Sequence, residues 1–254
     1  MKIILLTQND PFYLAESTKD FIKKIKDDNN HEIVKAIVTP ASPYGKKESF
    51  IKKITNSYKI FGIKFFTYYS LKYIWRKFIL DKSVLTEIKK ENISLWELNS
   101  NINSKKNISI IKSLNADIII IIAGNQIIKK QVLEITKYGV FNVHSSLLPY
   151  YKGLMPTFWV LKNGEKQTGV TLYKLTEGID DGPIISHKKI IIHDKMTQST
   201  LIKTSKIVAN ELIIESLSYI ENERESISNK GGSYYKFPTK LDVKDFYLKG
   251  NEFF

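Results

Sequence analysis

Short apolar runs alternate with amphipathic segments along most of the chain. The apolar runs predict strands at residues 2–7, 32–39, 93–98, 117–123, 139–144, 168–174 and 184–191, and helical spacing predicts helices at 12–25, 104–114, 129–136 and 157–162. Five consecutive isoleucines within 117–123 indicate a strand that is buried on both faces. This alternation predicts an α/β fold around a mainly parallel sheet, with ligands at the carboxyl ends of its strands.

One region between residues 49 and 80 departs from this alternation. Many lysines and aromatic residues occur there together, and such a mixture can stack nucleobases and hold phosphates. Apolar residues also recur there at spacings of three and four, which favours instead the buried stripe of an amphipathic helix with lysines outside. The predicted stripe comprises Ile54, Tyr58, Phe61, Phe65 and Tyr68.

The end of the chain forms a second exception. A long helix capped at Thr197 or Ser199 is followed by a polar break at 226–233 and an aromatic-rich tail at 234–254. The predicted division is therefore a core at residues 1–195 and a C-terminal helix and tail at 196–254 that pack on the core.

The composition is that of an ordinary globular protein. With 254 residues, 43% of them hydrophobic, the chain can bury a substantial core. It has no cysteine, which excludes disulfides, thiolate zinc sites and cysteine nucleophiles. The start MKIILLTQNDP is too short for the apolar core of a signal peptide, and the longest apolar run, 118–123, is far below the roughly 18–20 residues needed to cross a bilayer. A cytoplasmic protein without a membrane span is expected.

Charge discriminates less between functions. The net charge of +13 is compatible with nucleic acid, anionic lipid or phosphorylated small molecules. The lysines are spread along the chain rather than clustered, which favours solvated side chains over a functional basic face.

The stretch FNVHSSLLPYYKG at residues 141–153 ends a predicted strand with an asparagine and a histidine two positions apart. In a strand, residues i and i+2 point to the same face, so Asn142 and His144 would present an amide donor and an imidazole side by side. Such a pair suits one shared reacting oxygen, although Asn-x-His alone is more often an ordinary exit from a strand.

A second stretch, TEGIDDGPII at residues 176–185, follows another predicted strand. Gly178 and Gly182 flank two acidic residues, which indicates a loop whose backbone closely approaches a chain segment or a flat ligand. A tight turn explains the same composition, and this stretch by itself favours the turn.

Together the two stretches resemble the folate-dependent formyltransferases, which include glycinamide ribonucleotide, methionyl-tRNA and nucleotide-sugar N-formyltransferases. The family pattern is Asn-x-His, Ser-Leu-Leu-Pro, a basic-Gly loop and an Asp-x-Gly loop. In this sequence it reads as Asn142-Val143-His144, Ser146-Leu147-Leu148-Pro149, Lys152-Gly153 and Asp180-Asp181-Gly182. The resemblance covers about residues 118–185 and implies a Rossmann-like formyltransferase core, with the catalytic domain at 1–195.

The resemblance also implies roles for particular residues. Catalysis falls on Asn142, His144 and Asp180. The family's carboxylate directly follows an aliphatic residue, here Ile179, and this favours Asp180 over Asp181. The reduced folate is expected against Gly124, Gln126, Ile127, Ile128, Thr176, Glu177, Gly178 and Ile179. The acceptor is expected at Tyr150, Tyr151, Lys152 and Gly153.

The implied reaction transfers a formyl group from N10-formyltetrahydrofolate to an amine and needs no metal. The amine attacks the formyl carbon, negative charge develops on the formyl oxygen, and the amine loses a proton as the folate nitrogen leaves. Asn142 and His144 would stabilise the oxyanion, and His144 would also take the proton. Asp180 would orient the imidazole.

The branches of the family differ in their acceptors. Glycinamide ribonucleotide enzymes carry a glycine-rich phosphate loop after the first strand, where this chain reads TQNDPFYL. Methionyl-tRNA enzymes carry a C-terminal barrel domain, and formyltetrahydrofolate hydrolases carry an N-terminal regulatory domain. Neither of these additional domains is expected in this chain. The ending GGSYYKFPTKLDVKDF resembles the tails of small bacterial sugar formyltransferases.

The predicted function is therefore N-formylation of a nucleotide-linked amino sugar for surface polysaccharide such as lipopolysaccharide. The expected partners are small molecules, namely a reduced folate and the nucleotide sugar; a homodimer is a possible assembly, and nucleic acid is not expected. Two alternatives stay open: an enzyme like methionyl-tRNA formyltransferase, and a catalytically inactive relative that binds folate or a nucleotide.

Overall fold

The computed structural model describes residues 1–41, 50–80 and 82–254, with the backbone alone described at 50, 51, 53, 54 and 77. The strands are β1 (Lys2–Asn9), β2 (Glu32–Pro40), β3 (Leu95–Glu97), β4 (Ile118–Ile122), β5 (Gly139–His144), β6 (Lys152–Gly153), β7 (Gln167–Lys174), β8 (Ile184–Ile191) and β9 (Tyr234–Tyr235). The helices are α1 (Leu14–Asp28), α2 (Phe50–Ile74), α3 (Val84–Lys90), α4 (Lys105–Ser113), α5 (Lys130–Leu133), α6 (Pro156–Lys162), α7 (Gln198–Glu221) and α8 (Lys240–Leu248).

Seven of these strands form one sheet in the order β3-β2-β1-β4-β5-β7-β8. The pairs from β3 to β5 are all parallel, whereas β7 pairs antiparallel with both β5 and β8. The carboxyl ends of β1, β4 and β5 therefore lie along one edge of the sheet. The predicted α/β fold around a mainly parallel sheet is confirmed.

The isoleucine run forms the central strand β4, which lies between β1 and β5. All five of its residues are buried. Ile118, Ile120 and Ile122 join one core cluster, whereas Ile119 and Ile121 join another, because successive side chains of a strand point to opposite faces. The sheet is therefore covered on both sides, as the uninterrupted apolar run predicts.

Helix α2 departs from the predicted aromatic stripe. Phe61 is buried and its ring stacks on that of Phe65 at 4.4 Å between centroids. Tyr58 and Tyr68, in contrast, are 51% and 36% exposed. Gly62 interrupts the helical backbone with φ 81° and ψ 178°, so residues three and four apart do not stay on one face. The prediction of one continuous buried stripe is wrong, and Ile54 lies outside the described side chains.

The C-terminal part packs on the same core as the central strand. Helix α7 begins after Thr197, whose hydroxyl accepts a hydrogen bond from the amide of Thr200, as an N-cap does. Leu212 of α7, Phe246 of α8 and Phe253 belong to the cluster that contains Ile120. The C-terminal region contains more regular structure than the predicted single helix and tail, since the short strand β9 and the helix α8 lie within the tail.

Candidate functional site

The site lies where β5 reaches the carboxyl edge of the sheet. Asn142 and His144 occupy alternate positions near the end of this strand, with Asn142 half-buried and His144 buried. Strand β7 runs antiparallel beside it, and its register sets Tyr173 opposite Asn142. The loop that follows β7 carries Asp180 back to the same edge. The fold thus brings together the three residues that the sequence motifs singled out.

A chain of hydrogen bonds links Asn142 to Asp180 through Tyr173. The amide Nδ2 of Asn142 donates to the Tyr173 hydroxyl at 2.9 Å, and that hydroxyl donates to Oδ1 of Asp180 at 2.6 Å. A carboxylate can only accept, so the tyrosine proton is committed to Asp180 and its oxygen must accept from Asn142. This order determines which end of the Asn142 amide faces Tyr173.

Tyr173 is suited to that role because its hydroxyl stays neutral. Burial raises the pKa of the Tyr173 hydroxyl well above its usual value, and the nearby charge of Asp180 acts in the same direction. The side chain is almost fully enclosed. Tyr173 therefore remains a hydrogen-bond donor to Asp180 throughout the physiological pH range.

His144 is held from both sides of its ring. Its Nε2 lies 2.7 Å from the main-chain oxygen of Tyr151, which can only accept, so the proton of the neutral imidazole resides on Nε2. Its Nδ1 lies 3.6 Å from Oδ2 of Asp180, which is an ion-pair distance rather than a hydrogen bond. Nδ1 is thus the ring atom left to accept a proton, and a carboxylate faces it.

The Asp180 carboxylate has a third partner in the loop after β5. The backbone amide of Gly153 donates to Oδ2 of Asp180 at 2.8 Å. Gly153 adopts a φ of 94°, and a Cβ there would lie 2.3 Å from the carbonyl oxygen of Tyr235. Glycine is therefore required at this position for two independent reasons. Asp181, by contrast, accepts a hydrogen bond from the Thr176 hydroxyl.

The residues expected to hold the acceptor are mostly engaged with the protein itself. The Tyr151 hydroxyl donates to Glu165 at 2.6 Å, and the Lys152 ammonium donates to the main-chain oxygen of Asn229 at 3.0 Å. The backbone amide of Gly153 donates to Asp180. Only Tyr150, 60% exposed, presents a largely uncovered side chain. The loop 150–153 thus acts in the structure chiefly as a support for His144 and Asp180.

The two loops expected to hold folate lie next to each other. The amide of Lys130 donates to the Glu177 carboxylate at 3.4 Å, which joins the segment after β4 to the loop after β7. Ile127 and Ile179 are 74% and 57% exposed on these loops. Two uncovered apolar side chains on neighbouring loops offer a surface for a flat heteroaromatic ring.

The other residues of the expected folate set have different positions. Gln126 bonds to the main chain of Ser100 and Ile102, and Ile128 is buried. A Cβ on Gly124 would lie 2.6 Å from the Ile121 side chain, and one on Gly178 would meet the Asp181 carboxylate. Gln126 and Ile128 thus shape the loop after β4, whereas Gly124 and Gly178 are exposed on the two loops.

Two residues of the site were missed at the level of sequence. Tyr173 ends an ordinary apolar strand, and only its pairing with β5 sets it against Asn142. Asn229 is buried and donates from Nδ2 to the main-chain oxygens of Asp180 at 3.0 Å and Gly182 at 2.8 Å. Neither residue belongs to a local sequence motif. Asn229 lies in the polar break at 226–233, where burial is not expected, and is nevertheless enclosed.

A cavity of about 820 Å³ opens between α1, α2 and α7. It is lined by the cationic side chains of Lys72, Arg76, Lys203 and Lys206, together with the carboxylates of Glu16 and Asp20. The Lys72 ammonium lies between 4.8 and 5.9 Å from the centres of four aromatic rings. Those rings belong to Phe12, Tyr13, Tyr68 and Tyr69.

The cations of this cavity differ in how they are neutralised. Arg76 donates two hydrogen bonds to the Glu16 carboxylate, at 2.8 and 2.7 Å. Lys203 and Lys206 form no ion pair with any residue of the described chain. Burial lowers the pKa of Lys206 and of Lys72, and for Lys72 the charges of Lys203 and Arg76 lower it further. An anion in the cavity would therefore relieve repulsion among its lysines.

Other kinds of site are not found in the part of the chain that the structure describes. No group of three or more His, Asp or Glu side chains is arranged there to hold a metal ion. Nor, over the same residues, is any helix both long enough and apolar enough to pass through a bilayer.

Comparison with known proteins assigns the chain to a family. Residues 1–217 match the family described as formyl transferase. A methionyl-tRNA formyltransferase from Thermodesulfovibrio yellowstonii is 47% identical over 107 residues, which cover 42% of this chain and 35% of that protein. A namesake from Clostridioides difficile is 42% identical over 117 residues, covering 46% of this chain and 38% of its own length. The chain thus spans well under two thirds of the length of these curated relatives.

Solved structures share the fold over nearly the whole chain. An N-formyltransferase from Helicobacter canadensis, solved with folinic acid and dTDP-3-aminofucose, has a TM-score of 0.58 at 20% identity and covers 98% of this chain and 80% of its own. A phosphoribosylglycinamide formyltransferase from Anaplasma phagocytophilum has a TM-score of 0.64 at 14% identity, covering 93% and 99%. The Rossmann-like core is confirmed, whereas a particular closeness to the sugar enzymes is not. Because the family match spans most of the sequence, the chain belongs to the formyl transferase family.

Proposed function

We propose that the protein is an N-formyltransferase that moves the formyl group of N10-formyltetrahydrofolate to the amine of a nucleotide-linked amino sugar. The observation that carries the proposal is the linked set of Asn142, Tyr173, Asp180 and His144 at the carboxyl edge of a formyl transferase fold. An amide donor, an imidazole and a carboxylate at one site are groups that suit acyl transfer to an amine.

Asn142 is proposed to stabilise the negative charge that develops on the formyl oxygen. Its amide has two N–H groups, and one of them donates a hydrogen bond to the Tyr173 hydroxyl. The second is left for the formyl oxygen, in an orientation that the Tyr173 hydroxyl determines. A donor fixed in advance lowers the barrier because no reorganisation is needed during the reaction.

His144 is proposed to remove the proton of the attacking amine. Its Nε2 is committed to the Tyr151 oxygen, so the proton arrives on Nδ1. The Asp180 carboxylate at 3.6 Å from Nδ1 would stabilise the imidazolium that results. Asp180 thus acts by charge and orientation, without itself taking the proton.

The folate donor is proposed to lie against the loops that carry Ile127 and Ile179. When bound, N10-formyltetrahydrofolate would supply the formyl carbon that the amine attacks. The exposed side chains of these two isoleucines would cover the ring faces, and the main-chain groups of 124–128 and 176–180 would bond to the ring edges.

The acceptor's nucleotide is proposed to occupy the cavity between α1, α2 and α7 rather than the loop 150–153. Strand β4 alone separates β1 from β5, so β1, which leads into α1, lies about 10 Å across the sheet from the strand that carries His144. A diphosphate would lie beside Lys203 and Lys206, and a base would stack near the aromatic rings that line the cavity. The sugar amine would then extend along the edge to His144.

A second acceptor is supported by a different observation. The curated relatives are named methionyl-tRNA formyltransferases, and the net charge of +13 suits an RNA as well as a nucleotide. The cavity favours the smaller acceptor because its cations and aromatic rings line one concave site of about 820 Å³.

The function is tested by offering N10-formyltetrahydrofolate with dTDP-, UDP- and GDP-linked amino sugars and following folate release. We expect turnover with at least one sugar and none with the corresponding nucleotide that lacks an amine. Charged initiator tRNA is assayed in parallel. Formylation of that tRNA without turnover of any sugar would replace the sugar by RNA as the acceptor, and binding of folate without any turnover would favour the inactive relative.

The roles of the catalytic residues are tested by His144→Asn and Asp180→Asn. Each should lower kcat by about 100-fold or more, since the loss of one preorganised group has that scale in acyl transfer, while folate affinity stays near that of the wild type. His187→Asn and Asp194→Asn alter an exposed histidine and an exposed carboxylate and serve as controls. Near-normal kcat in either site variant would contradict the assignment.

The role of Tyr173 is tested by Tyr173→Phe, which removes a single oxygen atom. Hydrogen bonds to charged groups contribute about 1.5–3 kcal/mol, so a fall of kcat by about 10-fold or more is expected, with the KM for folate unchanged. Tyr138→Phe removes an exposed hydroxyl that accepts a hydrogen bond from Lys137, and it should leave kcat unaltered. Equal kcat values for both variants would show that the Asn142 amide needs no such orientation.

The acceptor cavity is tested by Lys206→Gln. Loss of a charge-assisted contact to a diphosphate should raise the acceptor KM by about 10-fold or more and leave the folate KM as it is. Lys244→Gln changes an exposed lysine of α8 and is the matched control. An unchanged acceptor KM in Lys206→Gln would place the nucleotide elsewhere.

A further inference from the structure

A segment beyond the family match reaches the candidate site. The match ends at residue 217, yet residues 227–236, here called the strap, lie against both loops that carry the site. Ile227 forms a bridge with Ile184 at the start of β8, and β9 pairs with β6. The strap therefore spans from the Asp180 loop to the loop after β5.

At its first end the strap holds the backbone on both sides of Asp181. The buried Nδ2 of Asn229 donates to the main-chain oxygens of Asp180 and Gly182, at 3.0 and 2.8 Å. Asp180 adopts a φ of 50°, in the left-handed region that side chains other than glycine seldom occupy. Both amide protons of Asn229 are thus used on a turn whose conformation needs support.

At its second end the strap holds the loop that supports His144. The amide of Tyr151 donates to the Ser233 hydroxyl at 2.9 Å, and the amides of Lys152 and Leu154 donate to the oxygens of Ser233 and Tyr235, at 2.8 and 2.9 Å. Within this loop, the Tyr151 oxygen accepts from His144 and the Gly153 amide donates to Asp180. The strap therefore fixes the partners of both His144 and Asp180.

We propose that Asn229 is a positioning residue of the formyl transfer reaction, which keeps the Asp180 carboxylate facing Nδ1 of His144 by anchoring the main chain of the Asp180 turn. This inference rests on the proposed function. Asn229 acts through the Asp180 turn: its side chain bonds to the main chain of the turn and is itself too enclosed to meet a substrate. The same side-chain amide could not be replaced by a carboxylate, since a carboxylate cannot donate to two carbonyl oxygens.

The proposal is tested by Asn229→Ala and by the milder Asn229→Ser. A displacement of the Asp180 carboxylate by about 1 Å is enough to lower kcat by about 10- to 100-fold. The KM for folate should change little. Asn222→Ala is the matched control, because the amide of Asn222 also donates to a main-chain oxygen, that of Ser218 at 2.7 Å, but on the surface of α7. Thermal unfolding of each variant gives the folded fraction by which kcat is corrected.

A double-mutant comparison separates positioning from a general loss of stability. If Asn229 works through Asp180, adding Asn229→Ala to Asp180→Asn should lower kcat by less than about 2-fold further. A full additional loss of about 10-fold or more in the Asp180→Asn background would overturn the proposal. An unchanged kcat in both Asn229 variants would overturn it equally.

A readout without turnover keeps the inference distinct from the proposed function. The imidazole NMR signals of His144, assigned from their loss in His144→Asn, should move in Asn229→Ala in the same direction as in Asp180→Asn, and should not move in Asn222→Ala. Absence of this movement would refute the positioning role. Failure of the wild-type protein to formylate any acceptor would instead refute the proposed function and leave the NMR result standing.

Discussion

Burial of the five isoleucines of β4 is the constraint on which the rest of the structure depends. A strand that is apolar on both faces can lie only in the interior of a sheet with layers on each side. Each such side chain contributes about 1.5–3 kcal/mol when it leaves water. With β4 in the centre, β1 and β5 flank it in parallel, and their carboxyl ends lie along one edge. Asn142 and His144 lie at that edge as a consequence.

The chemistry of the site rests on polar groups whose donors and acceptors leave few alternatives. Asp180 can only accept, so Tyr173 must donate to it and must accept from Asn142. The Tyr151 carbonyl can only accept, so the proton of His144 resides on Nε2 and leaves Nδ1 toward Asp180. A small network of this kind sets the amide orientation and the histidine tautomer together. The Asn142 amide and the His144 ring are therefore preorganised by the donor and acceptor capacities of ordinary residues.

The loop after β5 illustrates how a motif can serve support rather than contact. Tyr151, Lys152 and Gly153 follow the Asn-x-His pair and suggest an acceptor surface in the sequence. In the folded chain their polar groups meet Glu165, Asn229 and Asp180. Lys203 and Lys206, which form no ion pair with the described residues, line a cavity between α1, α2 and α7 instead. Physical availability, more than closeness along the chain, decides which groups can receive a ligand.

Local patterns in the sequence were sufficient for the parts of the protein that local physics controls. Apolar runs and the alternation of strand side chains determined nearly every strand, the double-sided burial of β4, and the common face of Asn142 and His144. Helical spacing predicted a buried stripe over α2 that is absent in part, because Gly62 breaks the helical path. Residue spacing also does not determine whether another element covers a helix face. Tyr58 belongs to the predicted stripe and is exposed.

Long-range pairing decided the remainder. Tyr173 reaches Asn142 across 31 residues through the register of β5 and β7, and Asn229 reaches Asp180 across 49 residues through the path of the chain after α7. No local periodicity encodes either contact, because register and chain path are set by the packing of the whole sheet and its layers. The sequence by itself determined which residue types could perform the chemistry and on which strand they lie. Only the tertiary structure decided which neighbours orient them, since the bonds from Asn142 to Tyr173, from Gly153 to Asp180 and from Asn229 to Asp180 join segments that are distant along the chain.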